Sequence, residues 1–499
     1  MKQDFENPFA DYGTIVHGER FIGRRDDLQV IESRVIRPRE PGNLAIIGDS
    51  RIGKSSLVYR AVIDRKDELI AKRFLPIWIS LSNYEHAHVF FRSLVMICVN
   101  ELTEVDWLTE SIKKSAERAI EDELSWSEKY GRIQRFFERV RREGTRILFI
   151  LDEFDHARHL FRRNTSAFQG LRELSYRPEW RVSYIITARR TIHDIELQTQ
   201  AISTFDGIFH KHYLGMFGAE DVEEYFNRLA SVGILDNDSL RGQLGFYCGG
   251  HPYLLELFGY ELVEFFRENR VVNVDQVAQR SLHSFLDQYD RMIELMREEG
   301  TLSKLLQALV GPVFDVKWTD VETLLKYGFI KRSEHGYIAF SEHFQTYLNL
   351  VARDWDLWPI WRETEKTLRK FITQIMVRKY GESWIEKLER ANPQLKKAVF
   401  DNCRRAQKKE EKAFGNRASK NLIDFTYPQD LFTIMFAEWN TFSEYLDHDK
   451  NYWGQRSQFL GKIRNPLAHN RDESLHEYER QIVEGYCKEI LEKINEKLA

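Results

Sequence analysis

Eight consecutive residues of the sequence follow the phosphate-binding pattern G-x-x-x-x-G-K-[ST]. In such a loop the glycines let backbone N–H groups curl around a phosphate, the lysine reaches the β and γ oxygens, and the hydroxyl ligates Mg²⁺. The pattern follows the apolar run NLAIIG and opens a helical segment, as this chemistry requires. A glycine-rich turn that only reverses the chain is the less favoured interpretation. The predicted nucleotide-binding residues are Gly48, Asp49, Ser50, Arg51, Ile52, Gly53, Lys54, Ser55 and Ser56, with Ser55 also a Mg²⁺ ligand.

Two further apolar runs end in residues that suit the same chemistry. The run RILFILDEF delivers Asp152, which we expect to hold Mg²⁺ through water, and Glu153, which we expect to polarise the attacking water. The run RVSYIITARR ends in Arg189, whose planar, permanently charged fork favours phosphate oxygens and can read the nucleotide state. A solvated basic turn is the alternative interpretation for Arg189. These residues predict ATP or ADP with Mg²⁺ as the cofactors.

The elements that must position these residues are strands that alternate with helices. Five apolar runs, at 43–48, 75–81, 146–154, 181–187 and 209–216, are separated by helical patterns such as those near 54–64 and 128–142. The sequence therefore predicts an α/β P-loop NTPase core, with a mainly parallel five-stranded sheet that is covered on both faces.

The remainder of the chain changes character twice. After about residue 217 the pattern becomes helical, and 302–350 has the order helix, helix, hairpin, helix, which is typical of a winged helix. From about Trp358 onward, long amphipathic helices predict an all-α domain, with an exposed basic loop at 404–420. The predicted divisions are an ATPase core at 1–217, a helical lid at 218–290, a winged helix at 291–352 and an all-α effector domain at 356–499.

Residues 21–350 resemble STAND-type ATPases of the AAA+ lineage. The likeness is carried by FIGRRDDL ahead of the first strand, the phosphate loop, the LDE strand, the strand ending in Thr-Ala-Arg and the GGHPYLL turn. The resemblance implies an ASCE core with a helical lid and a winged helix. It also implies a nucleotide-driven switch that oligomerises, with Arg24 near the adenine and Pro252 shaping its pocket. Many members carry a His-Asp pair on the winged helix, whereas SEHF here offers His343 without a following Asp, so a nucleotide contact from that domain stays open.

A second chemistry is indicated near the C-terminus by Arg464 and His469 in the spacing R-x4-H. The same spacing recurs at 471–476, so spacing alone decides nothing. Asn465 is a preferred N-cap and Pro466 a preferred first helical residue, which predicts that His469 lies in the first turn of a new helix. Both charged side chains would then face a phosphate drawn to that helix end. A capping Asn-Pro turn with an incidental surface Arg and His is the alternative.

The RN-x3-H pattern within an all-α region resembles the HEPN domain over about 358–499. Catalytic members are similar to metal-independent ribonucleases in which two protomers line one cleft. The resemblance implies that Arg464, Asn465 and His469 are catalytic and that the protein self-associates. A histidine near neutral pKa can move the proton of the RNA 2′-hydroxyl or of the leaving oxygen, and an arginine can stabilise the phosphorane.

The combined prediction is an ATP-binding and ATP-hydrolysing switch that controls a metal-independent HEPN endoribonuclease. Such gating is typical of a toxin-like effector in bacterial defence against phage, triggered by a phage protein or nucleic acid. One alternative is an ATPase scaffold whose HEPN domain binds RNA or a partner without cutting. The other is an ATP-dependent winged-helix transcription regulator, which the few basic residues of the wing disfavour.

Composition narrows the class of protein further. The 73 Lys and Arg residues nearly balance the 77 Asp and Glu residues, which excludes a dedicated basic nucleic-acid scaffold. The basic helix at 132–146 is accordingly interpreted as an amphipathic helix with a solvated face rather than an RNA-binding stripe. The 4 cysteines are scattered, which indicates neither a disulfide framework nor a zinc site. With no predicted membrane span or apolar leader, the expectation is a cytoplasmic protein.

Overall fold

The computed structural model describes residues 5–121, 125–162, 166–199, 204–309, 316–334, 336–355, 357–468 and 477–498. The chain divides into two compact units, Met1–Leu348 and Asn349–Ala499. The division lies within the last helix of the predicted winged helix. None of the helices in the described ranges has the length and apolar character that a membrane crossing needs.

A parallel sheet of five strands forms the centre of the first unit, in the spatial order β2-β3-β4-β1-β5. Its strands are β1 Asn43–Ile47, β2 Phe74–Ser80, β3 Arg146–Asp152, β4 Ser183–Ala188 and β5 Phe209–Tyr213. β4 lies between the strand that precedes the phosphate loop and the strand that carries the acids, which is the strand insertion that defines an ASCE core. The predicted fold class is confirmed.

Alternation along each strand explains why the sheet is covered on both faces. In β1, Leu44 and Ile46 pack into one apolar cluster, whereas Ala45 and Ile47 pack into the other. All four side chains are almost completely buried. The helices of this core are α1 Arg25–Ile31, α2 Lys54–Val58, α3 Lys66–Ala71, α4 Ala87–Glu104, α5 Glu110–Ala119, α6 Trp126–Arg142, α7 Ala157–Leu160, α8 Ser166–Tyr176 and α9 Ile192–Gln198.

A helical lid and a winged helix complete the first unit. The lid helices are α10 Ala219–Ser231, α11 Asp238–Cys248, α12 Pro252–Asn269 and α13 Val274–Glu298. The winged helix contains α14 Leu302–Leu309, α15 Trp318–Tyr327, β6 Ile330–Ser333, β7 Gly336–Ala339 and α16 Glu342–Trp355, with β6 and β7 paired in an antiparallel hairpin. This is the element order that the sequence predicts.

The second unit is helical throughout its described residues. Its helices are α17 Trp358–Tyr380, α18 Trp384–Ala391, α19 Pro393–Leu395, α20 Asp401–Phe414, α21 Pro428–Ala437, α22 Trp439–Phe442, α23 Lys450–Ala468 and α24 Glu477–Leu498. The periodic apolar residues of α17, such as Phe371 and Ile375, are buried in the core of this unit. The prediction of a basic loop at 404–420 is wrong over most of its length, because α20 runs to Phe414. That stretch consists largely of good helix formers (Ala, Gln, Lys and Glu), and the helix is anchored by the buried side chain of Cys403.

Candidate functional site

The phosphate loop joins β1 to α2 at the carboxyl edge of the sheet. A Cβ at position 48 would lie 2.6 Å from the carbonyl oxygen of Leu214, so the close strand approach requires Gly48. Gly53 has φ of +94°, in the left-handed region that favours glycine. The backbone geometry therefore explains why both positions of the pattern are glycine. Helix α2 begins directly after the second glycine, at Lys54. Ile52 is buried beneath the loop, whereas Ser50 is partly exposed and Arg51 exposed.

Besides the exposed Arg51, the charged side chains of the loop are Lys54 and Asp49. The Lys54 Nζ donates to the carbonyl oxygens of Gly48, at 3.0 Å, and Asp49, at 2.7 Å. Burial lowers the pKa of Lys54, and the carboxylates of Asp49 and Asp155 oppose that shift. Burial raises the pKa of Asp49, against the effect of Arg189. The cation is thus held within the loop that a phosphate would enter.

Ser55 and Asp152 come together as the sequence predicts. The Ser55 hydroxyl donates to the two carboxylate oxygens of Asp152, at 3.0 and 3.2 Å. Thr187 Oγ1, from the end of β4, donates to the same carboxylate. A hydroxyl and a carboxylate side by side offer the hard oxygen ligands that Mg²⁺ prefers. The residues present fit the metal, which would neutralise phosphate charge when bound.

Glu153, the predicted base, directly follows β3 and has φ of 55°. The Ser80 hydroxyl, at the end of β2, donates to Glu153 Oε2 at 2.8 Å. The Glu153 N–H donates to Thr187 Oγ1 at 3.3 Å. Hydrogen bonds from the hydroxyls of Ser82 and Ser80 lower the pKa of Glu153, so the carboxylate is held in its charged form.

The end of β4 is more heavily paired than the sequence suggests. Arg189 Nε lies 3.1 Å from Asp49 Oδ1, and its Nη2 lies 2.9 Å from Glu299, the residue after α13. Arg190 Nε lies 3.2 Å from the same Glu299 carboxylate. The carboxylate of Asp155 accepts the backbone N–H groups of Arg189, at 2.6 Å, and Arg190, at 3.1 Å. Arg189 is therefore an ionic bridge from the phosphate loop to the lid, and a solvated basic turn is excluded.

Arg24 and the GGHPYLL turn converge beside the loop. Arg24 is buried, and its Nη2 donates to the carbonyl oxygens of Ile52, at 3.0 Å, and Gly215, at 2.8 Å. Pro252 is the first residue of α12, and the Arg51 guanidinium lies 4.2 Å from the ring centre of Tyr253.

Ser56 and His343, which the sequence analysis also named, contact other parts of the first unit. The Ser56 hydroxyl accepts the backbone N–H of Val16 at 3.0 Å. His343 Nδ1, in the winged helix, lies 3.1 Å from the Tyr289 hydroxyl of α13.

Sequence reasoning missed Ser80, Asp155 and Glu299. Ser80 and Asp155 carry a usable signal, because a polar residue at or just beyond the carboxyl end of a parallel strand lies at the edge where ligands bind. Glu299 carries no such signal, since it is one of several acids at the end of a long amphipathic helix and lies 110 positions from its partner Arg189.

The C-terminal motif has a different local structure from the predicted one. Arg464, Asn465 and Pro466 all lie within α23, so Asn465 does not cap a new helix and that prediction is wrong. The helix continues because Leu460 and Ile463 bury its preceding turn in the unit's core. Within a helix a proline removes one main-chain hydrogen bond and its ring crowds the carbonyl four residues earlier, and here the burial of the preceding turn outweighs that cost. His469 lies outside the described residues, which resume at Glu477 with α24.

A family model matches the second unit. Residues 363–495 match the family model described as Swt1-like HEPN. The C-terminal helical region therefore carries a HEPN domain, which confirms the predicted resemblance. No curated relative matches the sequence.

Similar solved structures include three archaeal proteins. A Walker-type ATPase of Pyrococcus abyssi has 16% identity and a TM-score of 0.43, with 67% of this chain and 97% of that chain covered. The Aeropyrum pernix ORC1 protein in complex with DNA has 15% identity and a TM-score of 0.36, with 69% and 97% covered. Cdc6p from Pyrobaculum aerophilum has 15% identity and a TM-score of 0.39, with 69% and 96% covered.

Proposed function

We propose that the chain is an ATP-hydrolysing switch that controls a metal-independent HEPN endoribonuclease, and that it acts as a toxin-like effector in bacterial defence against phage. The observation that carries the proposal is the union, in one chain, of an assembled phosphate-loop site with a HEPN domain that contains the RN-x3-H pattern. An indiscriminate ribonuclease harms its own cell, so a nucleotide-controlled restraint on it is a reasonable design.

The nucleotide half of the proposal rests on the placement of each chemical group. Lys54 supplies the phosphate-loop cation, Ser55 and Asp152 would hold Mg²⁺, and Glu153 is kept ionised by its serine neighbours. An ionised carboxylate one residue beyond the metal ligand can orient and deprotonate a water for attack on the γ-phosphate. Hydrolysis of the β–γ phosphoanhydride bond of ATP needs this set of groups and little further covalent chemistry.

The switch half rests on the bridge made by Arg189. Its guanidinium contacts a loop carboxylate, Asp49, and a lid carboxylate, Glu299, at the same time. A γ-phosphate in the loop would compete for the same donors, because guanidinium pairs with phosphate as readily as with carboxylate. Release of Glu299 would free the end of α13. In this proposal the bridge couples nucleotide state to the position of the lid, in keeping with a STAND-type switch.

The ribonuclease half rests on the chemistry of the HEPN motif. RNA carries its own nucleophile, the 2′-hydroxyl, so His469 as acid or base and Arg464 as phosphate ligand suffice without a metal. A cavity of about 330 Å³ in the same unit is bordered by the exposed side chains of Lys366 and Lys370. These cations support contact with an RNA backbone.

The link between the halves is self-association. A cleft made from one motif of each of two protomers is active only when the protomers are correctly assembled, so control of assembly is control of cleavage. The trigger in this proposal is a phage protein or nucleic acid. The proposed adenine contacts of Arg24 and Pro252 would keep ATP or ADP in the switch.

Incubation of the purified full-length protein with total RNA in excess EDTA tests the ribonuclease assignment. Cleavage is expected to persist in EDTA and to be lost in His469→Ala and Arg464→Ala. Arg471→Ala, from the second R-x4-H spacing, is the matched control and is expected to cut normally. RNA that stays intact with wild-type protein in every nucleotide state, together with unchanged toxicity of His469→Ala in cells, would instead favour a non-catalytic HEPN scaffold.

A further inference from the structure

A second charged cavity lies at the edge of the sheet opposite the phosphate loop. Parallel strands all begin at that edge, and the segments that precede β1, β2 and β3 meet there. Together they enclose a cavity of about 730 Å³. Its charged lining consists of the cations Arg37, Arg39, Lys72, Arg141 and Arg146 and the acids Glu32 and Glu40.

The two acids of the lining already form ion pairs with arginines. Glu32 lies 3.3 Å from Arg37 and 2.6 Å from Arg65, and Glu40 lies 2.6 Å from Arg141. Among the described residues, no carboxylate lies within ion-pair distance of Arg39 or Arg146. Lys72 lies 2.7 Å from Glu68, which is outside the lining. Arg39 and Arg146 therefore leave positive charge in the cavity that these acids do not balance, although the whole chain carries a net charge of −4.

Arg146, the first residue of β3, is held in a fixed orientation. Its Nη1 donates to the carbonyl oxygen of Arg39 and its Nη2 to that of Lys72, both at 2.9 Å. Its guanidinium also lies 5.0 Å from the ring centre of Phe74. Burial, and then the nearby charges of Arg141 and Arg39, lower the pKa of Arg146, whereas the Glu40 carboxylate opposes that shift. The cation is thus pre-positioned among like charges, and a bound anion would relieve their repulsion.

The remaining lining indicates which anion fits. The uncharged lining residues are Ile36, Pro38 and Gly144, and none of the lining residues is aromatic. The cavity therefore offers no ring on which a base would stack, whereas guanidinium and ammonium groups are the common partners of phosphate oxygens. Several cations around one open cavity suit a chain of phosphates better than a single one.

We propose that this cavity binds the phosphate backbone of a nucleic acid. The site is separate from the nucleotide site, which lies at the other end of β3. It would recognise charge and spacing rather than sequence. It also gives a role to two cations of the basic stretch 132–146, Arg141 and Arg146, whose sequence pattern by itself favours a solvated face.

The test uses the full-length chain and a fluorescent single-stranded DNA oligonucleotide, which lacks the 2′-hydroxyl and so is not a substrate of the proposed ribonuclease. Binding is measured by anisotropy over a range of KCl concentrations. The double variant Arg39→Ala/Lys72→Ala removes two exposed cations and leaves Arg146 and both carbonyl acceptors in place. The matched control is Lys113→Ala/Lys114→Ala, two exposed lysines of α5.

The expected result is at least about a tenfold loss of affinity in the Arg39→Ala/Lys72→Ala variant. The slope of log K against log salt should fall by about 1.4, because each phosphate contact on a single strand contributes about 0.7. The control should bind like the wild type, and thermal unfolding should be the same for all three proteins. Wild-type affinity in the double variant, or an equal loss in the control, would overturn the proposal.

Two further arms separate the ligand sources and the two proposals. Sodium tripolyphosphate that binds as tightly as the oligonucleotide, with binding lost in the double variant, would identify a small polyphosphate ligand and overturn the nucleic-acid assignment. An Arg464→Ala background is expected to leave oligonucleotide binding unchanged. Failure here therefore does not bear on RNA cleavage, and failure of cleavage does not bear on this site.

Discussion

Replacement of Glu299 with glutamine removes the lid's charge from the Arg189 bridge while keeping the shape of the side chain. The Glu299 side chain is 21% exposed, and those of Arg189 and Arg190 are 11% and 8% exposed. Exposed ion pairs contribute about 0–1 kcal/mol, and breaking one side of a buried pair costs about 3–5 kcal/mol. Because the burial here is intermediate, we expect the substitution to remove about 2 kcal/mol of interaction energy between Glu299 and the arginines.

The weaker hold of Glu299 on Arg189 should appear as tighter binding of ATP. If Arg189 must leave Glu299 to contact a γ-phosphate, removal of the competing charge lowers the cost of the exchange by up to about 2 kcal/mol, or about 30-fold in affinity. Asp49 still holds the other side of the guanidinium, so we expect a gain of about 5- to 30-fold. ADP has no γ-phosphate, and its affinity should change much less.

The assay compares dissociation constants for ADP and for a non-hydrolysable ATP analogue in wild type and Glu299→Gln. Glu298→Gln is the matched control, since Glu298 is the preceding residue, is 58% exposed and lies 3.8 Å from Arg190. An unchanged ratio of ATP to ADP affinity in Glu299→Gln, or the same shift in Glu298→Gln, would refute the competition between Glu299 and the γ-phosphate.

Three further predictions concern the phosphate-loop site. Lys54→Ala should weaken ATP binding by about 10- to 100-fold, the value of a charge-assisted contact of about 1.5–3 kcal/mol, measured by isothermal titration. Glu153→Gln should retain ATP affinity but hydrolyse ATP at least about 100-fold more slowly; hydrolysis at the wild-type rate would contradict its role as base. Ser80→Ala removes a hydroxyl that helps to lower the pKa of Glu153, so that pKa should rise. Because the base acts in its ionised form, the acid limb of the ATPase rate profile should move to higher pH, and an unchanged profile would contradict the role of Ser80.

The sequence was a reliable guide wherever the signal is local. Continuous apolar runs predict the five strands, and the phosphate loop is recognisable because the backbone there requires glycine at Gly48 and Gly53. The pairing of Ser55 with Asp152 also follows, since parallel strands place their carboxyl ends at one edge. At Asn465 the local pattern predicted a helix start that the structure does not have. Burial of the preceding turn in the core continues α23 and outweighs the capping preference of one residue.

By itself, the sequence determined the fold class and predicted which residues would carry the phosphate chemistry, because apolar strand runs, glycine conformation and loop spacing are properties of neighbouring residues. Only the tertiary structure decided which charges meet. Ser80 reaches Glu153 across 73 positions and Glu299 reaches Arg189 across 110. The cations of the second cavity come from three separate segments. The energy of such pairs depends on distance and burial, and both arise only when distant parts of the chain are brought together by folding.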